Sequence, residues 1–243
     1  MAFIDAALGA LLVFFATAAG SLVVLFVDCL DRRTYSVMLS FAAGVMLFSA
    51  IEMFDSAVQS SGWPLAVVCL LFGALVFIAL EKLLPHLHLQ RKTTLAGDKD
   101  GALIAAAVTL HNVPEGLAIG SAFASSTPLG WLVAFSMALQ DVPEGLSVSA
   151  PLACFGMQKR KSIWFGILSG LVEAVSAVIG YCLLVLVSWV VPFGLAISAG
   201  AMLCVVLVEL LPDAFRHGFE RVAAFSLICG FALALGLASL LRF

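Results

Sequence analysis

Eight stretches of this chain are each long and apolar enough to cross a lipid bilayer, and this limits the fold more than any other feature. They fall at roughly 5–27, 35–57, 63–84, 101–123, 129–153, 162–187, 192–213 and 221–241. A helical span needs about 20 mostly apolar residues, whereas a barrel strand needs about 9–11. Each run is therefore read as a helix, which pairs its own backbone N–H and C=O groups where no water reaches them. Composition agrees: 63% of residues are hydrophobic, 11% are charged and the mean hydropathy is +1.16, against about a quarter charged in soluble domains. The longest polar connection, 85–100, is short and leaves nothing for a soluble domain. The first run is too long, and lacks the basic flank, for a cleavable signal peptide. The expected fold is all-α, a polytopic membrane protein with eight transmembrane helices. Residues 1–243 would form a single transmembrane domain with one modest cytoplasmic loop at about 85–100.

The twelve Lys and Arg fix the expected orientation. Arg32 and Arg33 follow the first run. Lys82, Arg91, Lys92 and Lys99 lie between the third and fourth. Lys159, Arg160 and Lys161 lie between the fifth and sixth, and Arg216 and Arg221 between the seventh and eighth. The even-numbered connections carry none, and Arg242 is at the C-terminus. Basic residues collect on the cytoplasmic side, so the odd connections are expected inside and both termini outside. A multi-pass protein of the cell membrane, plasma or inner, is expected, with the lipid bilayer as its constant partner. No basic patch with interleaved aromatics points to nucleic acid. The six cysteines lie in or beside apolar runs without a CxxC pair and read as small buried hydrophobes.

Six of the fifteen acids lie inside the runs: Glu52, Glu115, Asp141, Glu144, Glu173 and Glu209. An acid at a helix centre costs about 2.5–3.5 kcal/mol, so four near mid-membrane cost on the order of 10 kcal/mol without partners. No Lys or Arg lies at that depth. Such acids are protonated, face water or bind a cation. Spacing favours the cation. His111 and Glu115 are four apart in HNVPEG, and Asn112 and Glu115 are three apart. Gln140, Asp141 and Glu144 repeat the arrangement in QDVPEG. Residues three and four apart share a helix face, so each helix offers a three-residue polar patch with a shared glutamate. Two facing patches make a cage of imidazole, amides and carboxylates suited to Zn²⁺, Fe²⁺, Mn²⁺ or Co²⁺, and two bridging glutamates can hold two ions.

The prolines belong to the same design. Each removes a backbone N–H and opposes the carbonyl four residues back, here those of Leu110 and Leu139, and loosened backbone at membrane depth is tolerated where it lines a cavity. Gly116 and Gly145 allow close helix approach. Glu173 sits among small residues in SGLVEAVSA and is expected to point into the bundle as a ligand. Met46 reads as packing on the residues alone. Glu209 and Asp213, near His217, are either an exit station for a cation or interfacial acids. Glu52 lines the pore or lies near the outer end. His86 and His88 in the cytoplasmic loop are a weak metal signal.

These residues closely resemble the ZIP (Zrt/Irt-like) family of divalent-metal transporters. HNVPEG is similar to that family's signature in the fourth helix, and QDVPEG to the fifth-helix signature of its bacterial-type, GufA-like and ZupT-like branch. The resemblance implies one metal position built from His111, Glu115, Gln140 and Glu144, with Met46 at the place of a methionine ligand. It implies a second built from Asn112, Glu115, Asp141, Glu144 and Glu173, with Glu115 and Glu144 bridging the two. It also implies metal movement into the cytoplasm by an elevator-like motion of a helix bundle. Where some relatives carry an acid near the start of the second helix, this chain has Ser36, and the long His-rich loop of many eukaryotic members is missing.

The expected function is thus transport of a divalent transition metal, Zn²⁺ foremost and also Cd²⁺, Fe²⁺, Mn²⁺ or Co²⁺, as cargo and not as a cofactor. Ligands bind metal only when deprotonated, so uptake is expected to fall at acidic pH. The chain is not expected to be an enzyme. It has no GxxxxGK[ST] loop for ATP, and the HExxH of an intramembrane metallohydrolase, the rival reading, is missing. Metal export, or a channel, would use the same ligands. Small-residue helix faces are compatible with a homodimer.

Overall fold

The computed structural model describes residues 2–27, 29–83, 98–154 and 156–241, and these are helical with short connections and no strand. The long helices are α1 (Ala2–Leu22), α2 (Arg32–Ser61), α3 (Trp63–Leu83), α4 (Asp98–Ser125), α5 (Thr127–Cys154), α6 (Lys159–Leu186), α7 (Val191–Val205) and, after the short α8 (Leu211–Phe215), α9 (Glu220–Leu241). Each apolar run of the sequence falls in this order of helices, with α7 and α8 forming one rod. The loop histidines His86 and His88 lie outside the described residues.

Among the described residues, six helical stretches are long and apolar enough to cross a membrane: Ala2–Leu25, Arg32–Ser61, Trp63–Leu80, Lys159–Leu186, Ser188–Phe215 and Glu220–Leu241. In α5, Gln140, Asp141, Pro143 and Glu144 interrupt the apolar run and lower its mean hydropathy. The outer surface carries large apolar side chains that are more than half exposed, among them Phe15, Phe72, Leu183 and Phe225. A surface this greasy suits lipid, not water.

The helices sort into two groups. In one, α4 packs chiefly on α6, and α1 on α5 and α6. In the other, α2 packs on α9 and α7, and α3 on α7. The groups meet where α2 and α7 face α5 and α4. Glycines set this pairing. A Cβ at Gly20 would collide with the Val142 carbonyl, and one at Gly145 with that of Thr17, which locks α1 to α5. Gly44 and Gly230 do the same for α2 and α9, and Gly73 and Gly200 for α3 and α7. On α4, Gly116 and Gly120 lie against the Glu173 and Ala177 carbonyls of α6. In lipid, helices associate through such close backbone approach. The small-residue faces that the sequence left open for a dimer are, at these positions, used within the chain.

Local signals fix the helix ends. Asp31 caps α2, its carboxylate accepting from the backbone N–H groups of Arg33 (2.9 Å) and Thr34 (3.0 Å) and from the Thr34 hydroxyl (2.6 Å). The Thr34 hydroxyl above all holds the Asp31 carboxyl below its usual range. Gly62, at φ +80°, makes the turn into α3. Between α7 and α8 the helix widens by one residue over Val206–Leu210, where the Leu211 N–H reaches the Val206 carbonyl. Pro212 opposes the carbonyl of Val208, four residues back, and a widened turn relieves that clash.

One sequence expectation fails here. Cys29 and Cys154 are joined by a disulfide across 125 residues, with Cα atoms 5.2 Å apart. Of the free cysteines, Cys204 is buried, Cys69 partly so, and Cys182 and Cys229 are exposed. Scattered positions in the sequence hid a pair that the fold brings together at one end of the bundle.

Candidate metal centre

Three helices of the first group build the centre. α4 supplies His111, Asn112 and Glu115, α5 supplies Gln140, Asp141 and Glu144, and α6 supplies Glu173. Helical spacing points each set to one side, as the sequence implied. The Gly116 contact then draws α6 close enough to α4 to bring Glu173 to the same place. Asn112, Glu115, Gln140, Asp141 and Glu173 are fully buried, while His111 and Glu144 keep 6% and 7% exposure. Pro114 and Pro143 lie inside α4 and α5, which continue through both.

Glu115, Asp141 and Glu144 each place a carboxylate oxygen within 4.8 Å of the others, a cluster able to hold a metal ion. Glu115 accepts from the Gln140 side-chain amide at 3.1 Å, and Asn112 Oδ1 accepts from Ser169 at 3.1 Å. Among the described residues, Asn112 Nδ2, Glu115 Oε2, Gln140 Oε1 and both oxygens of Asp141 and of Glu173 have no hydrogen-bond partner. Buried polar groups are nearly always paired, and buried charges are paired or coordinate metals. Three carboxyl groups with unpaired oxygens, beside Glu144, make a strongly cation-attracting cluster. Its oxygen-rich donor set, with one imidazole, fits borderline divalent ions.

His111 bridges two carboxylates. Its Nε2 lies 3.2 Å from Glu144 Oε1, and its Nδ1 lies 3.2 Å from Glu209 Oε2. A protonated imidazole here is attracted to both carboxylates at ion-pair distance, and a ring nitrogen that has lost its proton offers its lone pair to a metal. Glu209, which the sequence left as either an exit station or an interfacial acid, has a contact that sequence reasoning missed. It stood out as an in-span acid, but nothing in the sequence paired it with His111. It sits in the widened turn of Val206–Leu210, and such turns re-aim side chains at functional sites.

Met46 of α2 is buried in the main apolar cluster, together with Ala43, Ala50, Met137 and Met202. Glu52 borders a pocket with Pro128, Leu129, Leu132 and Leu241. Asp213 accepts from Tyr35 (2.7 Å) and pairs with Arg216 (2.6 Å), which leaves it engaged in holding α8 to α2. His217 Nδ1 is 3.3 Å from the Ser36 hydroxyl, so the serine that stands where some relatives carry an acid contacts this histidine.

Comparison with known proteins points to one family. The sequence model of the ZIP Zinc transporter family matches residues 99–240, which include all seven residues of the cage. The chain is 41% identical over 169 residues to the zinc transporter GufA of Myxococcus xanthus, covering 68% of this chain and 66% of that one. It is 34% identical over 244 residues to the zinc transporter ZupT of Chlorobium phaeovibrioides, covering 89% and 90%. It is 43% identical over 143 residues to the human zinc transporter ZIP11, covering 56% of this chain and 42% of that one.

Proposed function

The chain belongs to the ZIP zinc transporter family, and from that premise we propose that it carries a divalent transition metal, Zn²⁺ foremost, into the cytoplasm. The cargo passes through a two-ion site between α4, α5 and α6. The observation that carries this reading is the buried cluster of Glu115, Asp141 and Glu144 with unpaired carboxylate oxygens around it.

One ion is held by His111, Glu115, Gln140 and Glu144, with Met46 as a further ligand. The other is held by Asn112, Glu115, Asp141, Glu144 and Glu173. Glu115 and Glu144 bridge them. Cd²⁺, Fe²⁺, Mn²⁺ and Co²⁺ suit the same ligands. The protein is a membrane protein in which residues 1–243 act as one domain of eight spans, with both termini outside and the basic connections inside. In this reading it is a protein of the cell membrane, with its cytoplasmic outlet near Arg216 and Arg221. Exposure rises in that direction, from none at Asp141 to 7% at Glu144 and 16% for the Glu209 side chain. An ion therefore leaves the cage past His111 towards Glu209. The membrane potential drives entry by about 2.3 kcal/mol per charge per 100 mV, without ATP. Protons compete with metal for the same ligands, so acid slows uptake.

Equilibrium binding tests the two-ion site. Purified protein should bind two Zn²⁺ per chain, and Glu115→Ala, which removes a bridge, should bind at most one. A native stoichiometry of one would overturn the bridged site.

A further inference from the structure

We propose that Cys29 and Cys154 form a reversible redox lock at the cytoplasmic mouth, closed as a disulfide and opened by thiol exchange. The inference rests on the transport reading and its topology.

The bond is placed where it can restrain transport. Cys29 lies in the connection from α1 to α2, three residues before α2 begins, and Cys154 is the last residue of α5. α5 carries Gln140, Asp141 and Glu144 and packs with α1, α4 and α6, and it meets α2, which packs with α7 and α9, across the boundary between the two groups. The disulfide therefore ties the end of a cage helix in one group to the start of a helix in the other. Cage groups with no exposure can exchange an ion only if the two groups shift against each other. A covalent tie across their boundary opposes that shift.

The bond is also placed where it does not stay closed. Arg32 and Arg33 follow Cys29, and Lys159, Arg160 and Lys161 follow Cys154, which puts both cysteines on the basic, cytoplasmic side. Thiol pools there keep accessible disulfides reduced. Both residues are exposed, so small thiols and disulfides reach them. Closure needs an oxidant, and a low-molecular-weight disulfide of the glutathione type supplies one. The Cys29 thiolate attacks the small disulfide and expels one thiolate. The Cys154 thiolate then attacks the Cys29 sulfur of the mixed disulfide and expels the second. Two protein thiols lose two electrons, the small disulfide becomes two thiols, and the two protons pass to them. Excess small thiol runs the sequence backwards.

The test uses the full chain in proteoliposomes, treated with dithiothreitol or with glutathione disulfide, with the Cys29–Cys154 peptide pair counted by mass. The reduced protein should take up Zn²⁺, and the oxidised protein should do so at least about tenfold more slowly, with recovery on adding dithiothreitol. Cys29→Ser and Cys154→Ser should transport like reduced native protein under both treatments. Equal uptake by linked and unlinked protein, failure of glutathione disulfide to form the linked pair, or inhibition of the serine variants as strong as that of the native chain would each overturn the lock. Reduced native protein that moves no metal would instead overturn the transport reading, and the lock with it.

Discussion

Nδ1 of His111 lies 3.2 Å from Oε2 of Glu209, while the other ring nitrogen lies 3.2 Å from Glu144. One imidazole thus joins the carboxylate cage of α4–α6 to the widened turn after α7, on the other side of the boundary between the two helix groups.

If Glu209 receives the ion from His111, its loss slows departure but leaves the cage whole. Glu209→Gln should lower the maximal uptake rate by at least about tenfold while KM and bound metal change little. A rise in KM with an unchanged maximal rate would place Glu209 in capture rather than release.

Gly116 has no room for a side chain, because a Cβ there meets the Glu173 carbonyl, whereas Gly236 on α9 has nothing within 4 Å. Gly116→Ala should cost about 1–3 kcal/mol through overpacking, lowering the melting temperature and weakening Zn²⁺ binding, since Glu173 is displaced with its helix. Gly236→Ala should be neutral or stabilising by up to about 1 kcal/mol. Thermal melting in detergent compares the two directly.

His217 gives a pH-dependent contact between α2 and the end of α8. Burial, with help from the Arg216 guanidinium, holds the imidazole below the usual histidine range. A lowered value in the folded protein means that the unfolded chain takes up the proton first as pH falls. The stability linked to neutral His217 is therefore present above about pH 6.5 and is lost below it. Native protein should lose more melting temperature between about pH 7.5 and 5.5 than His217→Gln does. An equal loss in both would contradict this.

Much of the site was legible because its chemistry repeats within single helices. HNVPEG and QDVPEG set their ligands three and four residues apart, and helical geometry alone brings each set to one face. That Glu173 would point inward followed from the small residues around it. What stayed hidden depends on contacts between distant segments. Glu209 meets His111 only because α7 crosses α4 and the turn before Pro212 widens. Cys29 and Cys154 are 125 residues apart, and no local pattern marks them as partners. The reciprocal glycines that pair α1 with α5, α2 with α9 and α3 with α7 look like ordinary membrane-helix glycines until the carbonyl facing each is known. Asp213, a candidate exit acid in the sequence, proves to be occupied by Tyr35 and Arg216.

The central claim, transport through this cage, is tested most directly by uptake of Zn²⁺, Cd²⁺, Fe²⁺ and Mn²⁺, offered singly, into proteoliposomes holding native protein or Glu144→Ala. The account predicts uptake of Zn²⁺ by the native chain that falls to the level of protein-free vesicles in the variant, with both proteins monodisperse in detergent. Uptake that persists in Glu144→Ala, or no uptake of any of these ions by folded native protein, would contradict it.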